Sequence, residues 1–324
     1  MKLSIGRIHE IASDISKKKW EALKQRRAPV RMFEAYPNVL CVFQTFNKSH
    51  LIRLVLNPFI KQGFKNIILF ADGCLDNTLT KAVSILRGKD HMVIAANNVH
   101  EIKNYRFAIT SEAGKNCEFA LLMQDDDLYP VDFGWLDYGL EMMKRDPKLV
   151  VIGYRGGYDF TSMSFPSNTF KTDTFYQSGE EIGLTGSWTA KNTKIFTSGP
   201  NQFNFGYCQT VYRAPHLIRV KEFLELTKFD PLFEPFQDDD TNYCLELWSK
   251  GYRVGLVAGA AIHRDVGIGG MRLSNVLSLD KRPEHAARNY GYLYSQYGEM
   301  VNSGALELMV KKANEGIVRK FLYL

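Results

Sequence analysis

Between residues 38 and 125 the sequence repeats one motif: a short, wholly apolar run followed by an amphipathic stretch. Val39-Leu-Cys-Val-Phe43, Asn66 to Phe70, His91 to Ala95 and Phe119-Ala-Leu-Leu-Met123 are each too short for a packed helix and read as strands. Ser49 to Gln62, Thr78 to Arg87 and Tyr105 to Glu112 carry helical spacing; Ser49 is the expected N-cap of the first, and Gly63 its stop. A strand that is apolar on both faces must be covered on both faces. Such strands alternating with helices predict an α/β fold with a mostly parallel central sheet and helices on either side.

Farther along the chain, Phe133 to Lys144 reads as a helix and Leu149 to Gly153 as a strand. Residues 155–206 are rich in Gly, Ser, Thr, Asn and aromatics with little periodicity, so they are expected to be functional loop or short hairpins. A helix near 215–227, a helix from Asp240 to Lys250 and a strand from Tyr252 to Val257 follow, then the Gly-rich loop His263-Arg-Asp-Val-Gly-Ile-Gly-Gly270 and helices over 283–297 and 303–321. Residues 5–27 have the pattern of a basic amphipathic helix, with Ile8, Ile11, Ile15, Trp20 and Leu23 on one stripe, and Pro29 and Pro37 bracket a linker. The expected organisation is a helical extension over 1–37, a main α/β domain over 38–270 and a helical extension over 271–324. The main domain divides into a regularly alternating half (38–127) and a looser half (128–270).

Charge and cysteine usage narrow the partners. Lys plus Arg number 41 and Asp plus Glu 35, a net charge of +6. That mild surplus suits an anionic small substrate or an acidic membrane surface and gives no case for nucleic acid. The five cysteines form no CxxC pair, which argues against a disulfide framework or zinc site and for a reducing compartment. No stretch has signal-peptide character, and no window approaches the ~18 consecutive apolar residues of a membrane span. The expectation is a cytoplasmic protein, soluble or peripheral at the inner face of the membrane. The segment Ala305 to Leu324 has an apolar stripe and four basic against two acidic residues. Docking on the catalytic domain is the preferred reading of that stripe, and peripheral attachment beside a lipid-linked acceptor the alternative.

Four features carry candidate chemistry. Gln124-Asp125-Asp126-Asp127 directly follows a buried strand, where ligands bind in open α/β sheets. Alternate residues of extended backbone point the same way, so Asp125 and Asp127 would share a divalent cation with Asp126 turned elsewhere; an acidic turn capping the next helix is the alternative. Phe70-Ala-Asp72-Gly-Cys-Leu-Asp76-Asn-Thr78 also follows a strand: Asp72 would accept from a base or ribose hydroxyl, or the segment is simply a capped turn. Gln237-Asp238-Asp239-Asp240 precedes an amphipathic helix and offers either a general base or carboxylates favoured by the helix dipole. His263, just past a strand, would complete a metal shell or serve as a surface or packing residue.

In this order the segments resemble the GT-A nucleotide-sugar glycosyltransferases, in particular the inverting family 2. Val42-Phe-Gln-Thr45-Phe-Asn47-Lys is similar to the family's first strand and T-Y-N-R-like turn. Ala71-Asp72-Gly73-Cys74-Leu-Asp76-Asn-Thr78 is similar to D-D-G-S-x-D-x-T, and Asp125-Asp126-Asp127 to the D-x-D metal motif. Asp239-Asp240, followed eleven residues after Asp240 by Gly251, is similar to the E-D…G block, and His263 falls where many members carry a His. The resemblance spans about residues 38–265. This chain departs from the pattern at Ala71, Cys74, Asp239 and Glu246.

The resemblance implies a GT-A fold and a metal-dependent glycosyltransferase, with 38–270 as its catalytic domain, 38–127 as the nucleotide-binding half and 128–270 as the acceptor-binding half. Such an enzyme would move a sugar, most often from a UDP-sugar, to a hydroxyl of a glycan or glycolipid, with inversion, in polysaccharide or glycoconjugate biosynthesis. It implies Mn²⁺ or Mg²⁺ on Asp125, Asp127 and His263, and donor contacts from Thr45, Asn47, Asp72, Arg106, Asp125 and Asp126. Asp240 would act as base with Asp239 as the alternate, and Trp188 and Tyr207 as sugar platforms or core residues. Residues 155–206 and the loop after His263 would shape the acceptor site. A sugar-nucleotide nucleotidyltransferase would want a Gly-rich phosphate loop, absent from Gln44 to Lys48; a non-catalytic glycan-binding descendant would not need three acidic motifs. A haloacid-dehalogenase phosphatase needs an Asp where Phe70 stands, and a NAD dehydrogenase needs a GxGxxG after a strand.

Overall fold

A computed structural model describes residues 36–87, 91–160, 172–177, 196–197, 204–211, 214–227, 229–234, 238–258, 263–264 and 282–321. The segments assigned above to an N-terminal helix, to Trp188 and to the Gly-rich loop after Arg264 lie outside the described residues. The first half runs β1 (Val39–Thr45), α1 (Ile52–Gln62), β2 (Ile67–Asp72), α2 (Thr78–Leu86), β3 (Met92–Ala96), α3 (His100–Thr110), α4 (Glu112–Lys115), β4 (Phe119–Gln124) and β5 (Asp127–Leu128). Then come α5 (Gly134–Arg145), β6 (Leu149–Gly153), β7 (Gly156–Phe160), β8 (Thr172–Gln177), β9 (Phe196–Thr197), β10 (Asn204–Tyr207), β11 (Thr210–Val211) and β12 (His216–Arg219). The chain continues with α6 (Val220–Leu226), α7 (Asp239–Ser249), β13 (Arg253–Ala258), β14 (His263–Arg264), α8 (Arg282–Asn302) and α9 (Ala305–Phe321).

Nine strands form the central sheet in the order β3-β2-β1-β4-β12-β6-β13-β10-β9. Within it only β12 and β10 run against the common direction, so the sheet is mostly parallel, as expected. All seven residues of β1 are buried, including Gln44 and Thr45 at its end, as are the first five of β4, which explains the apolar runs Val39–Phe43 and Phe119–Met123. Helix α1 buries Ile52, Val55, Leu56 and Phe59, one stripe at helical spacing, and ends at Gly63 with φ of 83°. Its N-cap is Leu51, two residues past the expected Ser49, whose N–H donates to Asp76. Against the sheet, Phe59 packs edge to face on Tyr129 and Phe133, and Trp135 edge to face on Tyr154, with Phe133 tilted against Trp135. Gly139 of α5 is required there, since a Cβ would stand 1.9 Å from the Tyr154 hydroxyl.

Two expectations change. The helix expected near 215–227 is a strand followed by a shorter helix. His216 to Arg219 are all buried, and they pair antiparallel with β4 on one side and β6 on the other. A four-residue apolar run fits either element, and here the gap between two strands decides it. Helix α3 begins at His100, five residues early, because a remote carboxylate caps it (below). Within residues 155–206, β7 and β8 pair antiparallel, as the expected short hairpins would, in a separate three-stranded sheet with β11.

The C-terminal helices pack on this body. Leu293, Val301, Leu306 and Val310 are at most 4% exposed. The Asn314 side chain accepts from the Tyr207 N–H and donates to the Tyr207 carbonyl, both at 2.9 Å, covering the open edge of β10 as another strand would. Leu306, Val310 and Ala313 of α9 are therefore used for docking, the first of the two expectations. Among the described residues no helix is long and apolar enough to cross a membrane.

Candidate active site

The chain order of β1 to β4 reverses between β1 and β4: β2 and β3 lie on one side of β1, β4 on the other. The carboxyl ends of two such strands leave a crevice between their departing loops, the usual ligand position in open α/β sheets. The loops after β1 and β2 are tied together at this edge. Asn47, in the left-handed region at φ of 50°, accepts from the N–H of Leu75 at 2.7 Å and of Asp76 at 3.3 Å. Asp76 accepts from the Ser49 N–H at 3.0 Å, and the Thr78 hydroxyl from the Lys48 N–H at 2.8 Å. Gly73 takes φ of 71°, and a Cβ there would stand 2.8 Å from that of Asn98. Only glycine meets both conditions. Thr45 is fully buried at the end of β1, and Leu75 projects from the tip of the second loop, 89% exposed.

Asp72 closes β2 and is 1% exposed. Its carboxylate accepts three hydrogen bonds: from Gln44 Nε2 at 3.0 Å, the Val99 N–H at 2.8 Å and the His100 N–H at 2.9 Å. The last two are the uncapped first donors of α3, so Asp72 caps that helix from another strand. The network continues through Gln44, whose carbonyl accepts from Asn104 Nδ2 at 2.7 Å. Next to Gln44 in the ladder, Gln124 donates to Glu101 at 2.8 Å. Helix α3 thus reaches the strand ends through Glu101 and Asn104. Arg106 lies two residues past Asn104 on the exposed side of the helix.

Asp125 and Asp126 occupy a turn after β4, so the alternation of extended backbone does not relate Asp125 to Asp127. Asp125 accepts from the Phe46 N–H at 2.7 Å, a bond across the crevice from the β4 end to the β1 end. Burial, reinforced by the charge of Asp126, pushes its carboxyl up to about 7; Lys48, the Phe46 N–H and Thr45 act in the opposite sense. Asp126 is half-buried, and Asp127 is fully buried with Arg155 Nη1 at 3.7 Å. Asp127 opens β5, and β5 pairs antiparallel with β14: Asp127 opposes Arg264, and Leu128 opposes His263. The backbone of His263 is therefore carried from far along the chain to the acidic run. Among the described residues, no three His, Cys, Asp or Glu side chains converge as a complete metal cage.

Asp238 adopts φ of 71° and starts α7. Asp239 is 3% exposed, whereas Asp240 is partly exposed and accepts from the Thr241 N–H at 2.9 Å. One turn on, the Tyr243 hydroxyl bonds His216 Nδ1. His216 heads β12 and stands opposite Leu122 of β4, three residues before Asp125. The register therefore brings the first turn of α7 to the sheet edge that holds Asp125. Lys103 of α3 forms an ion pair with Glu234 at 3.0 Å, and the Glu234 carbonyl accepts from Arg288 of α8 at 3.1 Å. Tyr290 of α8 sits close enough to Asp238 and Asp240 that burial and their charges push its hydroxyl up to about 12. Tyr207 lies at the opposite sheet edge, its hydroxyl on Asp146 at 2.6 Å and the Arg253 guanidinium 5.4 Å from its ring centre. It takes the core role expected as the alternative to a sugar platform.

No protein-family model and no curated protein matches this sequence. Among solved structures the chain is similar to GalNAc-T7 with UDP, GalNAc and Mn²⁺, at a TM-score of 0.55 and 12% identity, over 100% of this chain and 66% of that one. It is also similar to S. aureus TarS, at a TM-score of 0.43 and 16% identity, over 69% of this chain and 36% of that one. The chain has a GT-A fold.

Within the GT-A fold, the expected residues Thr45, Asn47, Asp72, Asp125, Asp126, Asp127 and His263 arrive at one edge through strand ends and the β5–β14 ladder. Asp239 and Asp240 approach it on α7, and Arg106 faces outward. The residues that the sequence did not single out are Gln44, Asn104, Glu101, Arg155 and Tyr290. Each belongs to its cluster through a contact across the fold, and none carries a local signal. Lys48 stood inside a quoted motif without a role.

Proposed function

We propose that this chain is a nucleotide-sugar glycosyltransferase that transfers a sugar from a UDP-sugar to a hydroxyl of a glycan or glycolipid, with inversion. The observation that carries this reading is the bond from the Phe46 N–H to Asp125, which joins the ends of β1 and β4 at the crevice beside the Asp72 network. The presence of UDP and Mn²⁺ in the GalNAc-T7 structure supports the choice of donor and metal.

In this reading the loops after β1 and β2 and the capped start of α3 hold the nucleoside, with Thr45, Asn47 and Asp72 as their fixed points. Asp125 and Asp126 are hard oxygen donors, and the Asp125 carboxyl, raised first by burial and then by the charge of Asp126, fits a site for a hard divalent cation. Asp125, Asp127 and His263 would hold Mn²⁺ or Mg²⁺, which would supply positive charge at the leaving diphosphate. Asp240, the partly exposed member of its run, takes the proton of the acceptor hydroxyl as that oxygen attacks the anomeric carbon. The bond from that carbon to the phosphate oxygen breaks on the opposite face, which inverts the centre. Asp239, 3% exposed, is the alternate base.

Thermal shift with UDP-, GDP-, CMP- and dTDP-sugars, with and without Mn²⁺, tests the reading. A ligand at a hundred times its Kd stabilises by about 2.7 kcal/mol, or roughly 5 °C at the ~2 °C per kcal/mol of a chain this long. A UDP-sugar with Mn²⁺ is expected to give that shift. A panel in which no nucleotide-sugar moves the midpoint refutes the proposal.

A further inference from the structure

Strand β3 ends the main sheet and, unlike β1, β2 and β4, is not buried: Met92 and Ala95 are exposed and the other three residues partly so. Its sequence, Met-Val-Ile-Ala-Ala, is wholly apolar. Edge strands are usually protected by a charge, a proline or a bulge within the strand. This one has neither charge nor proline, so its protection must come from what covers it.

Exposed apolar side chains gather around this edge. Among the described residues, the large ones left exposed are Leu75, Val83, Met92, Phe107, Val131 and Leu308, and the first four lie in the segments that build it. Helix α2 packs on β2 and β3, whereas α3 lies chiefly over β1 and β2. The chain steps outward from β1 to β3 and back again to β4, so right-handed crossovers set α2 and α3 on opposite faces. Phe107 of α3 meets Phe70 of β2 edge on, with ring centres 6.1 Å apart. Phe70 stands opposite Ile94, and Ile68 opposite Met92, so these four share the α3 face of the sheet. Phe107, 55% exposed, therefore stands beside a strip of β3 on which Met92 is 47% exposed.

Positive charge accompanies the apolar groups. Lys81, Arg87 and Arg106 are exposed, and Lys103 keeps 54% exposure beside Glu234. From Thr78 to Thr110 the one acid among the described residues is Glu101, which Gln124 holds.

We infer that the β3 edge, with the flanks of α2 and α3, is a docking surface for an anionic lipid bilayer. Its cations meet headgroup phosphates while Val83, Met92 and Phe107 enter the boundary between headgroups and acyl chains. Charge complementarity selects an anionic surface over a second copy of this chain, whose identical edge would set cation against cation. The apolar groups select a bilayer over an acidic protein. They are spread over both faces of a sheet edge, which a fluid interface accepts and a close-packed protein interface does not. The inference stands apart from the donor reading above.

Flotation of the full chain with vesicles of phosphatidylcholine alone, and of phosphatidylcholine with about 30% phosphatidylglycerol, tests it. The chain should rise with the anionic vesicles at low salt and stay down with the neutral ones. It should be released near 1 M salt, where the screening length is about 3 Å. Arg87→Gln should weaken partition about fivefold, and Phe107→Ser combined with Met92→Ser about tenfold. These side chains are exposed, so thermal midpoints should stay near wild type. Leu308→Ser, an exposed apolar change on α9, should float as wild type does. A wild-type chain that stays down with anionic vesicles or floats equally with neutral ones overturns the inference. So does a Phe107→Ser, Met92→Ser protein that floats undiminished, or a loss of flotation in Leu308→Ser. A dimer in sedimentation that Met92→Asp dissociates, with no flotation, assigns the edge to self-association instead. The thermal shift with UDP-sugars reads the donor site separately and should be the same in wild type and Met92→Ser.

Discussion

Asp72→Asn is the most informative single change, because it tests a structural duty that this residue carries beside the ligand contact expected of it. The wild-type carboxylate accepts from Val99 through one oxygen and from Gln44 and His100 through the other. An asparagine in the same place keeps one oxygen. Its better orientation serves Gln44 and His100 and turns an NH₂ toward the Val99 N–H, so one donor is orphaned and two bonds lose their charge. A hydrogen bond to a charged group contributes about 1.5–3 kcal/mol and an unsatisfied buried donor costs about 1–3 kcal/mol, so a loss of roughly 2–5 kcal/mol is expected. At roughly 2 °C per kcal/mol for a chain of this length, the thermal midpoint should fall by about 4–10 °C. Asn98 and His100, held at φ of 52° and 69°, should relax once the cap weakens. Calorimetry gives the midpoint, and hydrogen exchange at Val99 and His100 locates the effect. A midpoint within about 1 °C of wild type, with exchange at those two amides unchanged, would show that α3 does not depend on this carboxylate.

Asp240→Asn should lose about 10²–10⁴-fold in kcat while nucleotide and Mn²⁺ affinity stay near wild type; turnover within about threefold, for it and for Asp239→Asn, removes the base assignment. Asp125, pushed up to about 7 by burial and by Asp126, must shed its proton to bind a cation, so Mn²⁺ affinity should weaken by up to about tenfold per unit as pH falls below 7. The sign for stability is opposite. A carboxyl raised in the folded state favours folding at low pH, and that contribution is lost as pH rises from about 4 to about 7. Titration calorimetry across pH 5–8 checks the first, and an Asp125→Asn protein, with a flatter stability profile than wild type over the same range, checks the second. Asn314→Ala strands both the N–H and the carbonyl of Tyr207 and should cost about 2–5 kcal/mol in urea unfolding; an unchanged midpoint means α9 does not hold the sheet edge.

The strands of the nucleotide half were legible because each is apolar on both faces, a pattern that few other environments produce. The rule that ligands gather at strand ends then pointed to Asp72 and Asp125 without help from any contact. What stayed hidden has one physical source, namely partnership between distant segments. Helix α3 starts early because Asp72 caps it from 27 residues away, where no local cap could be read. Residues 216–219 are a strand because a gap of the right width stands between β4 and β6. Asp125 and Asp127 looked alike by spacing, yet a turn separates them, and the second is fixed by Arg155 and the β14 backbone. The tie that Lys103 makes to Glu234 is a surface ion pair of about 0–1 kcal/mol, so it orients the two halves without adding much stability.

The late arrival of β12 has a bearing on biosynthesis. Strands β3, β2, β1 and β4 are complete once residue 124 has been made, and they are joined by short crossovers. The outer side of β4 must then wait for His216, which pairs with Leu122 across 94 positions of chain. At a synthesis rate of about 5–20 residues per second, that is roughly 5–20 seconds with an unpaired apolar strand edge. Such an edge is a template for pairing with other chains. The vulnerable period of this protein is therefore the interval between its two halves leaving the ribosome. Slower elongation through residues 125–215 should lengthen that interval and lower the soluble yield, with the finished molecule unchanged.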